Sequence, residues 1–116
     1  MRMQLTPFEA GLAAHLLADW VLQNDWMARN KISLKHPAAW VHAAIQGLCL
    51  GVALGWAAGV VLGAIHLLVD TRVPVMWWMR HVKHCTEAPN AGSIAIWLDQ
   101  SVHILCIALW VVLVKS

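Results

Sequence analysis

The sequence predicts an all-α fold: a four-helix transmembrane bundle, 1–116 as one domain, with both termini on the same, non-cytoplasmic side. Three observations predict it. Of the 116 residues, 60% are hydrophobic and only 12% are charged, whereas roughly 25% charged is usual in soluble domains. The mean hydropathy is +0.64. Long apolar runs recur, separated by short basic segments. A soluble chain this small needs a polar coat for its large surface, and eight Lys and Arg with six Asp and Glu cannot supply one. Disordered and soluble globular classes are therefore excluded. So is a disulfide framework, because Cys49, Cys85 and Cys106 are odd in number and have no C-x-x-C spacing. A net charge of +2 gives no basis for nucleic-acid binding.

The first helix is expected over 5–24. The apolar run after Gly11 is interrupted by His15 and Asp19 and has no clean cleavage site, so it reads as a retained helix and not a signal peptide. A basic cytoplasmic loop, 25–36, carries Arg29, Lys31 and Lys35, and Pro37 suits the first position of the next helix. From Pro37 to Val69 there is no Asp, Glu, Lys or Arg. One helix of that length would run about 50 Å at 1.5 Å per residue, well beyond a hydrocarbon core of about 30 Å. The run Gly55-Trp56-Ala57-Ala58-Gly59 lies in its middle, so a tight turn there gives two helices, 37–55 and 59–73. Pro74 disfavours helix at Val73, and a second basic loop is expected over 74–93. The last helix is expected over 94–114.

Four helices place Arg29, Lys31, Lys35, Arg80 and Lys83 on one side, with Arg72 nearby, and Arg2, Lys115 and the turn on the other. The positive-inside bias makes the first side cytoplasmic. Trp26, Trp40, Trp77, Trp78 and Trp97 fall near that boundary and Trp56 and Trp110 near the opposite one, the pattern of aromatic belts.

Ionisable residues inside a bilayer are costly, so each is a candidate for function. Seven are of metal-ligand type: His15, Asp19, His42, His66, Asp70, Asp99 and His103. His15 with Asp19, His66 with Asp70 and Asp99 with His103 are i, i+4 pairs, which stack on one helix face. Counted from the cytoplasmic ends of the expected helices, all seven lie at a depth of roughly 5–14 Å. Four helices thus bring donors to one shallow layer, and no Lys or Arg is expected within it. A common pocket requires the chain to reverse near Trp56; otherwise His42 lies across the bilayer from His66 and Asp70.

Three readings of this layer compete. A buried hydrogen-bond network would tie the helices together. A metal centre would use imidazole and carboxylate as ligands for one or two divalent ions, zinc first, with manganese or iron as alternatives; a two-metal site would use all seven, with a carboxylate bridging. A proton or ion pathway would need polar residues continuing to the far side, which the sequence lacks. Haem fits less well, because axial His ligands need no neighbouring Asp. The metal reading is preferred, since metal charge explains how three carboxylates stay ionised in a low-dielectric layer. Asp19, Asp70 or Asp99 can instead serve as general base. Gln23, Gln46 and Gln100 are candidates to orient the ligands from behind. Arg29, Lys31, Arg80 and Lys83 ring the expected mouth and are candidates to bind lipid headgroups or an anionic lipid substrate. His81, His84 and Cys85 cluster in the second loop and read as solvated side chains.

At these motifs the chain resembles an uncharacterised family of bacterial and phage polytopic membrane proteins, domain of unknown function 3307. The likeness rests on His15-Leu-Leu-Ala-Asp19-Trp-Val-Leu-Gln23-Asn-Asp25-Trp-Met-Ala-Arg29-Asn30-Lys31, then His42, His66-Leu-Leu-Val-Asp70 and Asp99-Gln100-Ser-Val-His103. It implies an architecture and a residue set, a bacterial inner-membrane or phage-encoded setting, and no reaction. The His-x-x-x-Asp pairs are also similar to those of small membrane proteins described as metal-dependent hydrolases. The functional expectation is a membrane metal-dependent hydrolase acting on a lipid or other membrane-associated substrate, phosphorylated or not. The alternatives are a non-catalytic subunit of a larger membrane complex or homo-oligomer, and a proton or metal-ion carrier.

Overall fold

A computed structural model describes residues 4–115; Arg2 and the Lys115 side chain, expected on the non-cytoplasmic side, lie outside what is described. Every regular element among the described residues is helical. Helix α1 (Pro7–Leu16) opens on a capping box, in which Thr6 accepts from the Glu9 amide and Glu9 accepts from the Thr6 amide. It continues into one π-helical turn, Leu17–Val21, and ends earlier than expected. Asn24 then caps α2 (Asp25–Asn30) through its side chain on Met27 N, so the expected loop 25–36 holds a helix of its own.

Helix α3 (Pro37–Leu54) starts at its proline, as expected. The reversal near Trp56 is present and tighter than expected: one residue, Gly55, separates α3 from α4 (Trp56–Val69). Gly55 has φ 102° and ψ 159°, a conformation essentially restricted to glycine. Beyond the turn the two helices touch through glycines. A Cβ on Gly59 would fall 2.5 Å from the carbonyl oxygen of Gly47 and 3.0 Å from Gly51 Cα. Small residues are what permits backbones to approach this closely.

Past Val69 the chain departs from the expected layout. Asp70 ends α4, Arg72 adopts the left-handed region at φ 67°, and α5 (Val73–Trp78) begins with Pro74 in its first turn. The expectation that Pro74 keeps Val73 out of helix is corrected: α4 already ends at Val69, Val73 opens α5, and Pro74 fits its first turn because its missing N–H would be unpaired there anyway. Helix continues through a π-helical turn, Met79–Lys83, to His84 at φ 52°, so half of the expected loop 74–93 is ordered as helix. Helix α6 (Ala91–Trp110) starts three residues before its expected boundary and is followed by a last π turn, Val111–Lys115.

Pro37–Leu54 and Ala91–Val114 are long and apolar enough to cross a membrane, and α4 with α5, bent by 56°, makes a third such segment if counted together. Large apolar side chains lie on the outside, and a set of ionisable side chains lies inside alongside a buried apolar core. Val52, Val60, Trp97 and Leu113 are exposed, while His15, Asp19, His42, His66, Asp70, Asp99 and His103 are buried. The polar layer lies between two apolar clusters. One contains Leu50, Leu54, Ala58, Leu62 and Ile107; the other contains Val69, Val75, Met79 and Ala95. Along α6 the order is Ala95, Asp99, His103, Ile107, so the polar pair is sandwiched.

Candidate metal centre

Four helical segments supply the site. The end of α1 and its π turn carry His15 and Asp19; α3 carries His42 and Gln46; the end of α4 carries His66 and Asp70; and α6 carries Asp99, Gln100 and His103. The π turn, closed by Leu22 N donating to Leu17 O at 2.8 Å, adds one residue per turn just where Asp19 must enter the interior.

The ligand atoms converge. His42 Nε2 is 3.0 Å from Asp19 Oδ1, 2.9 Å from His66 Nε2 and 3.4 Å from Asp70 Oδ2. His66 Nε2 is 2.8 Å from Asp70 Oδ2 and 3.7 Å from Asp19 Oδ1. Asp70 Oδ1 faces the other way, 3.3 Å from His103 Nε2. Two groups result, Asp19-His42-His66 and His66-Asp70-His103, each with its ligand atoms within 4.8 Å of one another and all buried. Both can hold a metal ion. Asp70 faces both groups with its two oxygens, the disposition of a bridging carboxylate. Asp99 Oδ1 stands 3.5 Å from His103 Nε2 and accepts no hydrogen bond.

With both facing carboxylates ionised, hydrogen bonding alone does not explain the His42–His66 approach. An imidazole Nε2 either donates one hydrogen or offers one lone pair, in the ring plane. If both nitrogens donate to their carboxylates, two N–H groups confront each other at 2.9 Å. If one is deprotonated, its lone pair faces a carboxylate. A cation where these atoms meet would satisfy both Nε2 atoms and the facing carboxylate oxygens, while the buried His42 Nδ1 has no hydrogen-bond partner with or without it. Two ligand atoms on one tetrahedral ion with bonds of 2.0–2.1 Å are about 3.3–3.4 Å apart, and the five separations above span 2.8–3.7 Å.

His15 is brought into the layer, but its Nε2 donates to Gln100 Oε1 at 3.0 Å. It therefore stands behind the two groups, its ring 5.3 Å from that of His103. Gln100 Nε2 donates in turn to Asp19 Oδ2, which fixes that carboxylate, as expected of an orienting side chain. Gln46 donates to the His15 carbonyl at 3.2 Å. Gln23 touches no ligand through a hydrogen bond; its buried Oε1 has no partner.

The expectation that no cation reaches this layer is corrected. Lys31 Nζ is 3.7 Å from Asp19 Oδ1, with a side chain only 13% exposed. Arg72 Nε is 4.0 Å from Asp99 Oδ1. Arg72 had no place among the expected site residues, because an unbroken helix through Val73 would not turn it inward; the left-handed turn after Asp70 does. Of Arg29, Lys31, Arg80 and Lys83, Lys31 alone reaches the cluster among the described residues. Arg29 pairs with Asp25 at 2.9 Å on the surface. Arg80 and Lys83 are exposed on the π turn after α5, and Lys83 lines a separate cavity with Ser93 and Trp97. His81 lies against Trp77, and His81 and His84 are exposed. A cavity of about 200 Å³ opens beside the cluster, lined by Asp19, Trp20, Gln23, Lys31, Arg72, Ile96, Asp99 and Gln100 among others.

Comparison with the curated proteins and with the solved structures finds no match. The family model described as "Protein of unknown function (DUF3307)" matches residues 8–116, nearly the whole chain and every residue of the cluster. The chain belongs to the DUF3307 family.

Proposed function

We propose that this chain is an integral membrane hydrolase whose buried His/Asp cluster binds one or two divalent transition-metal ions near the cytoplasmic face. In this reading α1 with its π turn, α3, α4 with α5, and α6 form a four-helix bundle with both termini on the non-cytoplasmic side of a bacterial inner membrane. Zinc is the first candidate, and manganese or iron are alternatives. The substrate is a lipid or another membrane-associated molecule carrying a hydrolysable, phosphorylated group.

The observation that carries the reading is the confrontation of His42 Nε2 and His66 Nε2 at 2.9 Å between the carboxylates of Asp19 and Asp70. Buried charges need compensation, and a divalent ion supplies it at the point where the ligand atoms meet. Such an ion lowers the pKa of bound water and polarises an ester or phosphoryl oxygen. Asp99, buried but without a hydrogen bond, is the carboxylate best placed to take the proton of an attacking water. The apolar exterior and polar interior support the bilayer setting.

A metal-free structural network is the second reading, and Lys31 and Arg72 favour it by bringing two positive charges to three carboxylates. They do so from the edges, at 3.7 and 4.0 Å, and neither relieves the His42–His66 contact. Elemental analysis of the purified protein decides between the two. Stoichiometric metal in wild type, lost in His66→Ala and in Asp70→Ala, is expected. A folded, metal-free wild type would overturn the metal reading.

A further inference from the structure

The cavity beside the cluster has a composition that the metal reading does not require. We infer that it is a seat for a phosphoryl group carried on an apolar chain, with Lys31 and Arg72 as its anion-binding side chains and the Asp99 side of the metal cluster as its floor. The inference rests on the metal reading above and names the substrate class of that same site.

Charge comes first. Asp19, Asp70 and Asp99 bring three negative charges; Lys31 and Arg72 bring two positive ones, and neutral imidazoles add nothing. One divalent ion leaves the cluster at plus one, and two leave it at plus three. A loaded cluster in a low-dielectric layer therefore lacks an anion. Both cations line the cavity, from different elements, Lys31 just after α2 and Arg72 between α4 and α5. Each stands too far from its carboxylate for a hydrogen bond, 3.7 Å for Lys31 and 4.0 Å for Arg72. Their donors are thus free to meet a ligand. Arg72 offers the planar fork that matches phosphate oxygens.

Two further observations point to an occupant. Asp99, 2% exposed, lines the cavity and its Oδ1 accepts no hydrogen bond, and Gln23, which lines the same cavity, has an unpaired buried Oε1. An ionised carboxylate oxygen repels a bare anion, so the phosphoryl group is held by Lys31, Arg72 and the cations of the two neighbouring ligand groups, and the Asp99 oxygen is left to take the proton of a water attacking that group. Size and rim set the rest. About 200 Å³ is below the roughly 300–1,000 Å³ of pockets that engulf a whole drug-sized ligand, so the remainder of the molecule stays outside. Trp20 and Ile96, which line the cavity, are exposed apolar side chains and suit an apolar chain.

The test titrates inorganic phosphate into metal-loaded protein by calorimetry, with metal content measured on each sample beforehand. The variants are Lys31→Gln, Arg72→Asn, Arg72→Lys and Arg29→Gln. Asn tolerates the left-handed backbone at position 72, so Arg72→Asn removes charge without straining the turn. Phosphate affinity is expected to fall about tenfold or more in Lys31→Gln and Arg72→Asn, to recover in part in Arg72→Lys, and to be unchanged in Arg29→Gln, all with metal content unchanged. Equal affinity across the set, with metal retained, overturns the inference. A wild type without metal overturns the metal reading, and is seen before any phosphate is added. In a second arm, vesicles containing phosphatidic acid compete with inorganic phosphate whereas pure phosphatidylcholine vesicles do not. Failure of phosphatidic acid to compete, with phosphate still bound, overturns the apolar-chain part in favour of free phosphate.

Discussion

His42 and His66 stand 24 positions apart in the chain, yet their Nε2 atoms approach to 2.9 Å across the α3–α4 hairpin. His66 belongs to both groups of ligand atoms, whereas His15 has its Nε2 committed to Gln100. The two histidines therefore differ in what their loss does. His66→Ala is expected to abolish metal binding. His15→Ala is expected to keep the stoichiometry at saturating metal and weaken affinity about 10–100-fold, the usual cost of losing a supporting partner. Competition against a chelator of known affinity reads both.

Gln100 serves two masters, accepting from His15 and donating to Asp19. Gln100→Leu leaves a buried imidazole N–H and a carboxylate oxygen unpaired, at about 1–3 kcal/mol for each group. Both a lower thermal midpoint and weaker metal binding are expected. Gln23→Leu, which removes no hydrogen bond seen in the structure, is expected to change neither by a comparable amount.

Gly59 sets the spacing of the hairpin. In Gly59→Ala the new methyl group meets the Gly47 carbonyl at 2.5 Å, a backbone atom that cannot swing aside. A loss of about 1–3 kcal/mol is expected, accompanied by weaker metal binding as α3 and α4 separate. Gly92→Ala has nothing within 4 Å and should stay within about 0.5 kcal/mol of wild type. Thermal unfolding in detergent compares the pair.

Sidedness is tested by labelling. In a background with Cys49, Cys85 and Cys106 replaced, Lys83→Cys and Trp56→Cys, both at exposed positions, are expected to react with a membrane-impermeant maleimide from opposite faces of the membrane. Labelling of both from one face would refute the proposed topology.

Much of this architecture was readable from residue order, and the failures have physical causes. The i, i+4 pairs of His15 with Asp19, His66 with Asp70 and Asp99 with His103 marked helix faces, and a charge-free stretch too long for one span implied the reversal at Gly55. Periodicity carries that information because it is local. Arg72 was not readable, since its inward turn depends on a left-handed residue between two helices. The stretch 74–83 looked like part of a basic loop because Arg80 and Lys83 fall in one short segment; its helix rests on burying Val75 and Met79 against Val69 and Ala95. The role of His15 depended on which neighbour its Nε2 meets, and residue spacing does not specify that.

Gly55 is also the point about which a tilt of the hairpin would be levered. His42 lies 13 positions from it, about 20 Å along a straight helix, so a tilt of about 5° at that single residue sweeps the imidazole through about 1.7 Å. Metal coordination tolerates displacements of about 0.2 Å. The backbone contacts of Gly59 and Gly63 with Gly47, which lies between that turn and His42, block such a tilt inward and so keep the two imidazoles in register.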